Sequence, residues 1–207
     1  MTLVRDGFVI ILTPLVLGVF ILFLEIGGRT GSIAGVLLVI LALFFAYFFR
    51  DPNREIIKND SQIISPADGT VLEVVDENGN KVVRIFLSIF NVHLQRSPVK
   101  GTIKSVQFNP GKFLKAYHPD AHSQNQNNII TIGTAKGDFI VKQISGILAR
   151  RVISWVKPGD NVEQGEKIGF IRFGSQVDVY IPCESETNIK KGDKVVAGRT
   201  VLCNLKK

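Results

Sequence analysis

The 207 residues carry 25 Lys and Arg against 18 Asp and Glu, a formal net charge of +7, and 45% of them are hydrophobic. A chain this long and apolar is neither a disordered tail nor a disulfide-stapled miniprotein. Its two cysteines, Cys183 and Cys203, are too few and too far apart for a metal site of the usual pattern, and both read as structural thiols.

In chain order, residues 8–26, FVIILTPLVLGVFILFLEI, and 32–49, SIAGVLLVILALFFAYFF, each match the length a bilayer core requires. The second follows the first after only a GGRTG link, unlike a cleavable secretory signal. Residues 1–50 are therefore expected to be a membrane-anchoring, transmembrane helical hairpin ahead of a domain over 51–207. Both segments are near the minimum length, which leaves open a hairpin held in one leaflet. Arg50, Arg54 and Lys58 after the second segment outweigh Arg29 in the link, which puts both termini and the domain on the cytoplasmic side of the cell membrane. Up to residue 49, Arg5 and Arg29 balance Asp6 and Glu25, so the whole +7 lies beyond. A basic domain held at a membrane is drawn to an anionic lipid surface, with a merely solvated basic face equally open on charge alone. Nucleic acid is not expected, because no helix-turn-helix, finger or aromatic-basic signature is present.

From residue 56 onward the pattern is β. The runs KVVRIFLSI, GTIKSVQF, NNIITIGT, DFIVKQIS and QVDVYIP are rich in Val and Ile, and are separated by turn signals such as ENGN, NPGK, AKGD and KPGD. The fold class is thus mainly β, a compact β domain after the hairpin. Within it, VKPGDNVEQGEKIGFI from Val156 and IKKGDKVVAGRTVLCN from Ile189 match at an offset of 33, setting Gly159, Asp160, Val162 and Gly165 on Gly192, Asp193, Val195 and Gly198. These strand-turn-strand units resemble the folded hammerheads (barrel-sandwich hybrid, lipoyl-like) of lipoyl and biotinyl carrier domains. The alternative function is accordingly a non-enzymatic carrier or membrane-fusion adaptor. Against it, the chain lacks a hairpin-tip lysine flanked by small acidic or Met residues, and Met1 is its one methionine.

The residues able to carry chemistry are few. Asp68 sits in the turn sequence SPADG. His93 follows an apolar strand, as a core histidine or a base would, whereas His118 and His122 lie in the polar stretch AYHPDAHSQNQNN, expected to be a surface loop. Gly174 and Ser175 open the alternation of IRFGSQVDVYIP, where a Gly-Ser pair alone signals a bend or bulge. Taken together, a Ser, a His and an Asp supply the parts that activate a hydroxyl.

FFRDPNR at 48–54, SPADG at 65–69, NVHLQRSP at 91–98 and IRFGSQVDVYIP at 171–182 stand in the order found in phosphatidylserine decarboxylase proenzymes. From about residue 48 to its end the chain resembles the short, archaeal-type branch of that family. The resemblance implies that Ser175 is the self-cleavage serine, Gly174 the last residue of the larger fragment, and Asp68 with His93 the pair that activates Ser175. It also implies chains 1–174 and 175–207 that stay tightly associated, a covalent pyruvoyl cofactor made from Ser175, no metal, and conversion of phosphatidylserine to phosphatidylethanolamine and carbon dioxide at the membrane. The longer bacterial branch carries a further histidine three positions before the one matching His93. This chain has Phe90 there, with His118 and His122 as candidates for the missing role. Phe113 and Leu114 are candidates for receiving acyl chains, with a core role equally open. A pyruvoyl enzyme acting on another amine is a third alternative, and homo-oligomerisation is left open.

Overall fold

The computed structural model describes all residues except 1, 57, 116, 117, 119, 147–150, 173, 174, 183, 184, 206 and 207. The chain divides into two units, Met1–Asn53 and Arg54–Lys207. In the first, strands β1 (Thr2–Leu3) and β2 (Arg50–Asp51) pair antiparallel across the base of two helices, α1 (Phe8–Phe23) and α2 (Gly28–Phe48). Both helices are long and apolar enough to cross a membrane. They meet through small residues: a Cβ on Gly18 would stand 2.8 Å from the Gly35 carbonyl oxygen, and one on Gly35 would stand 2.7 Å from Leu22 Cγ. Missing side chains let the two backbones approach, the usual device between helices in lipid. The helix ends differ from those expected, since α1 stops at Phe23 and α2 begins inside the GGRTG link. Glu25 and Gly27 take left-handed angles, φ 50° and 80°, which reverses the chain within residues 24–27 and leaves no need for a longer loop.

The second unit is built from short strands. Its first three are β3 (Gln62–Ile64), β4 (Gly69–Glu77) and β5 (Asn80–Leu87). Then come β6 (Leu94–Arg96), β7 (Gly101–Asn109), a single helical turn α3 (Ala121–Gln124), β8 (Asn127–Thr134), β9 (Gly137–Ile144), β10 (Arg151–Ser154), β11 (Asn161–Val162) and β12 (Lys167–Arg172). The last four are β13 (Ser175–Ile181), β14 (Ser185–Thr187), β15 (Lys194–Val195) and β16 (Val201–Leu205). A curled eight-stranded sheet runs in the order β11-β7-β8-β9-β13-β5-β4-β15, with three-stranded sheets β10-β12-β6 and β14-β16-β3 beside it. The five runs picked out in the sequence are β5, β7, β8, β9 and β13.

Read from its two ends, this order is a palindrome. β11 answers β15, β7 answers β4, β8 answers β5 and β9 answers β13, while the small sheets match strand for strand. The unit is therefore a duplication whose second copy, β6 to β12, is inserted between β5 and β13 of the first. The hydrogen bonds repeat accordingly. Ser65 Oγ donates to the Ala67 carbonyl at 2.7 Å, and Ser97 Oγ to the Val99 carbonyl at 2.6 Å. Gly192 N–H donates to Val71 and Gly159 N–H to Ile103, both at 2.8 Å. Gly159 and Gly192 both stand at φ 93°, a conformation that costs glycine little and explains why these turns recur as K-x-G-D. SPADGTV at 65–71 and SPVKGTI at 97–103 carry the same duplication in sequence. The hammerhead units thus serve as architecture.

The core lies against one face of the large sheet, where alternate residues point inward. Val83, Ile85, Ile130, Ile132, Val141, Val177, Val179 and Ile181 fill it. Cys203 is buried in the same cluster, while Cys183 lies outside the described residues. β13 occupies the middle of the sheet, paired antiparallel with β5 on one side and β9 on the other.

Candidate active site

Ser175 is the first residue of β13, opposite Leu87 of β5. Its side chain is fully buried, and its Oγ has no hydrogen-bond partner among the described residues. A buried hydroxyl left unpaired is costly, and native structures keep few of them without a reason. Such a residue suits a role in which the hydroxyl is consumed. Gly174, and with it the peptide bond proposed for cleavage, lies outside the described residues.

His93 is also fully buried, on the short link between β5 and β6. Its Nδ1 lies 3.0 Å from the Asn91 carbonyl oxygen. A carbonyl only accepts, so this contact makes Nδ1 the protonated nitrogen and leaves Nε2 as the basic one. The backbone at His93 is fixed as firmly. Its carbonyl accepts the Ile171 N–H at 3.1 Å and Gln95 Nε2 at 2.7 Å. Behind Gln95 runs a buried amide relay, with Gln143 Nε2 donating to Gln95 Oε1 at 2.8 Å and Asn128 Nδ2 to Gln143 Oε1 at 2.9 Å. Ile171 lies on β12, which leads to position 175, so the relay and the strand hold His93 beside the approach to Ser175.

Asp68 precedes β4, at the level where Thr70 pairs with Phe86 and Ser175 with Leu87. Two strand spacings, roughly 10 Å, separate its backbone from that of Ser175 along one sheet edge. Its carboxylate is held by Arg54 in a two-pronged pair, Nη1 to Oδ1 at 2.6 Å and Nη2 to Oδ2 at 2.7 Å, and Oδ1 also accepts the Ala197 N–H at 2.9 Å. In this conformation the Asn91 carbonyl, and not Asp68, orients the imidazole. The three sequence-predicted residues therefore share an edge of the sheet without forming a hydrogen-bonded chain.

The other histidines lie on the segment after β7. His118 Nδ1 accepts the Asp120 N–H at 3.2 Å, and the His122 carbonyl accepts Lys142 Nζ at 2.6 Å. Phe90 is exposed at a tight turn. Among the described residues no group of three His, Cys, Asp or Glu side chains could hold a metal.

On the sheet face opposite the core, a row of charged residues crosses the strands. Glu73 of β4 stands opposite Arg84 of β5, which stands opposite Asp178 of β13, and Asp178 in turn faces Lys142 of β9. Arg84 pairs with Glu73 and, at 2.6 Å, with Glu77, while its Nε lies 3.5 Å from Asp178. Burial opposes the charge on Arg84, yet the hydrogen bonds it donates to Glu73 and Glu77 outweigh it and strengthen its hold on the proton. Asp178 is left with a weaker share of that cation. Burial pushes its carboxyl up to about 6, against the pull of the Gln176 hydrogen bond, Arg84, Lys142 and His122. Burial also lowers the Lys142 ammonium.

Several residues at this edge escaped the sequence reading. Arg54, Asn91 and Gln95 sit inside FFRDPNR and NVHLQRSP, whose motifs were noted without roles for them. Gln143 and Asn128 carry a fainter signal, uncharged amides at strand positions flanked by Ile and Val.

Comparisons with known proteins show the family. The family model described as phosphatidylserine decarboxylase matches residues 41–203. A phosphatidylserine decarboxylase proenzyme of Solibacter usitatus is 42% identical over 172 residues, 83% of this chain and 84% of that protein. One from Wolbachia pipientis is 39% identical over 185 residues, 84% of this chain and 80% of that protein. A relative from Methanosarcina barkeri, named for archaetidylserine decarboxylase, is 41% identical over 167 residues, 81% of this chain and 80% of that protein. With most of its length matched by the family model and by relatives at this identity, the chain belongs to the phosphatidylserine decarboxylase family of enzymes.

Proposed function

We propose that the chain is a self-cleaving proenzyme that decarboxylates the phosphoserine headgroup of a membrane lipid, with Ser175 as both the nucleophile of its own cleavage and the origin of a pyruvoyl group. The observation that carries this reading is the fully buried Ser175 Oγ, unpartnered among the described residues, at the start of the central strand and on one edge with His93. Phosphatidylserine and archaetidylserine share that headgroup, so the chemistry at Ser175 is the same for either.

In the cleavage step, His93 Nε2 takes the hydroxyl proton and Ser175 Oγ attacks the Gly174 carbonyl; the C–N bond breaks as the C–O bond forms. The result is an ester with a free amine at position 175. The Asn91 carbonyl keeps the imidazole in the required tautomer. Asp68, whose charge Arg54 neutralises, acts on this step by holding Arg54 and the Ala197 N–H and so bracing the sheet edge at which Ser175 stands. Removal of the Ser175 α-proton then expels the Gly174 carboxylate, and water addition with loss of ammonia completes conversion of position 175. A pyruvoyl group there supplies a carbonyl that takes up the lipid amine and the electrons released with carbon dioxide, without an external cofactor. His93 is placed to return a proton to the product. A buried serine with nothing to bond among the described residues fits such a group, because the conversion removes an orphaned hydroxyl.

The fragments 1–174 and 175–207 have reason to stay together. β13 is bonded on both sides, by β5 and β9, while β15 pairs with β4 and β16 with β3, all four partners lying before residue 174. The two apolar helices hold the enzyme at a membrane, with the basic domain on the cytoplasmic side beside anionic headgroups. The test is the intact mass of the purified chain under denaturing conditions. Two fragments meeting at Gly174 and Ser175, the smaller lighter by one ammonia than its sequence, are expected; an uncut, folded chain would overturn the reading.

A further inference from the structure

The register of the large sheet brings five strand ends into one row. Phe86 of β5 faces Gln176 of β13, Gln176 faces Ile144 of β9, Ile144 faces Asn127 of β8, and Asn127 faces Asn109 of β7. The connections leaving β5 and β7 therefore stand beside the edge at which β13 begins. Phe90 and Phe113 stand on these connections and Phe108 one residue before the end of β7, and the three are 62%, 38% and 56% exposed. Among the described residues of the unit Arg54–Lys207, the other large apolar side chains as exposed are Trp155 and Val196. Three of five thus gather at the Ser175 edge.

These phenylalanines do not sit on loose ends. Phe90 rides a closed turn in which Asn91 N–H donates to the Ser88 carbonyl at 2.9 Å and Ser88 Oγ donates to Asn91 Oδ1 at 2.7 Å. The Phe113 segment is strapped on both sides, with Lys112 N–H donating to Gln124, Leu114 N–H to Asn125 Oδ1, and Asn125 Nδ2 to the carbonyls of Leu114 and Ser145. A protein that fixes exposed aromatics in place presents them to something. Lys112 and Lys115 flank Phe113, and Arg151 lies exposed on β10 opposite Arg172, three residues ahead of Ser175. At the opposite end of the sheet the strand ends and turns carry Asp76, Glu77 and Asp138 together with Lys81 and Lys136, and Asp76 and Asp138 are paired with Lys81 and Lys104. Fixed phenylalanines rimmed by cations complement the boundary between anionic headgroups and acyl chains.

We propose that the Ser175 edge itself enters the headgroup layer of an anionic bilayer, with Phe90, Phe108 and Phe113 seated in the lipid interface and Lys112 and Lys115 on lipid phosphates. This placement rests on the lipid-decarboxylase reading and adds the surface by which the domain meets its substrate. The lipid headgroup then reaches position 175 without leaving the membrane plane.

The test uses the full chain reconstituted into phosphatidylcholine vesicles, with and without phosphatidylglycerol, in which part of the lipid carries brominated acyl chains. Trp155 is the one tryptophan, so Trp155→Phe gives a silent background. Into it go Phe108→Trp at the proposed surface and, separately, Lys136→Trp at the β8–β9 turn on the opposite end. Bromolipid should quench the first reporter several-fold more than the second, and phosphatidylglycerol should widen the gap. Equal quenching, or none at position 108, would overturn the proposal. As a second readout, Phe90→Ser with Phe113→Ser should raise KM for vesicle-borne phosphatidylserine roughly tenfold, well beyond its effect on KM for monomeric short-chain phosphatidylserine. An unchanged vesicle KM would count against the surface. A cut chain lacking the quenching difference would sink this surface alone, whereas an uncut chain that retains the difference would sink the role of Ser175 and leave the surface standing.

Discussion

Replacing Arg54 by Met should be among the most damaging single changes in the second unit. The guanidinium places two nitrogens on the Asp68 carboxylate and shares one of them with the Ala197 carbonyl at 2.8 Å, and both side chains are nearly enclosed, at 8% and 13% exposure. Removing one partner strands a charge that folding has desolvated, which costs about 3–5 kcal/mol where burial is complete. Slight exposure puts the expected loss near the lower end, about 3 kcal/mol. The double variant Arg54→Met with Asp68→Leu removes both charges, and it should recover most of that loss because an apolar pair of similar volume can replace a buried ion pair. The assay is urea unfolding of the full chain in detergent on a Ser175→Ala background, which keeps the polypeptide in one piece. Single losses below about 1 kcal/mol, in the range of surface pairs, or strictly additive single and double variants, would refute the claim that this pair is a desolvated unit. Ala197 belongs to the segment 175–207, so on wild-type Ser175 the same single variant should also loosen the smaller fragment.

Asp178→Asn reports on the buried charge row. A folded-state carboxyl near 6 against an ordinary 3.8 means that wild type holds its full Asp178 contribution below 3.8 and loses it as pH rises through 6. Asn titrates nowhere in this range, so the variant should match wild type below about pH 4 and exceed it by up to about 3 kcal/mol at pH 8; parallel stability curves would show that Asp178 is not strained. Gln143→Leu breaks the amide relay behind His93, and should cost about 1–3 kcal/mol and slow cleavage, read by unfolding and by the time course of fragment appearance. Cleavage as fast as in wild type would remove the relay from the site. Asp68→Asn should slow cleavage while His93→Ala abolishes it, and normal maturation in both would remove the proposed catalytic set. Once cut, the fragments should co-elute in non-denaturing detergent and separate only in denaturant; separation without denaturant would contradict the strand pairing around β13.

The sequence made the strands legible where one face is buried and the other is not. β5, β7, β8, β9 and β13 announce themselves by Val and Ile, while β3, β6, β11 and β15 are too short to show any period. The hammerhead echo is legible because its turns demand glycine at φ 93°, whereas the likeness of SPADGTV and SPVKGTI rests on a shared Ser, Pro, Gly and Thr, too short a match to signal a duplication without the matching sheets. Ser175, His93 and Asp68 could be named from motifs, but not their partners. Arg54 lies fourteen positions from Asp68, and Ala197 much farther. Nothing local distinguishes a carboxylate that orients an imidazole from one already taken by a guanidinium. Phe90 shows the opposite case, where a motif position associated with chemistry elsewhere is occupied here by an exposed ring.

The insertion of one copy of the fold inside the other also sets the order of assembly. β5 and β9 both precede β13 in the chain, and each keeps an open inner edge until residues 175–181 follow and close both at once. Pairing Leu87 with Ser175 closes a long loop, a slow kind of contact, and unpaired inner edges invite aggregation while they wait. The same topology acts as a safeguard. The serine takes its place only when β13 zips between two finished neighbours, so under the self-cleavage proposed above a chain that has not closed this pairing holds no assembled nucleophile.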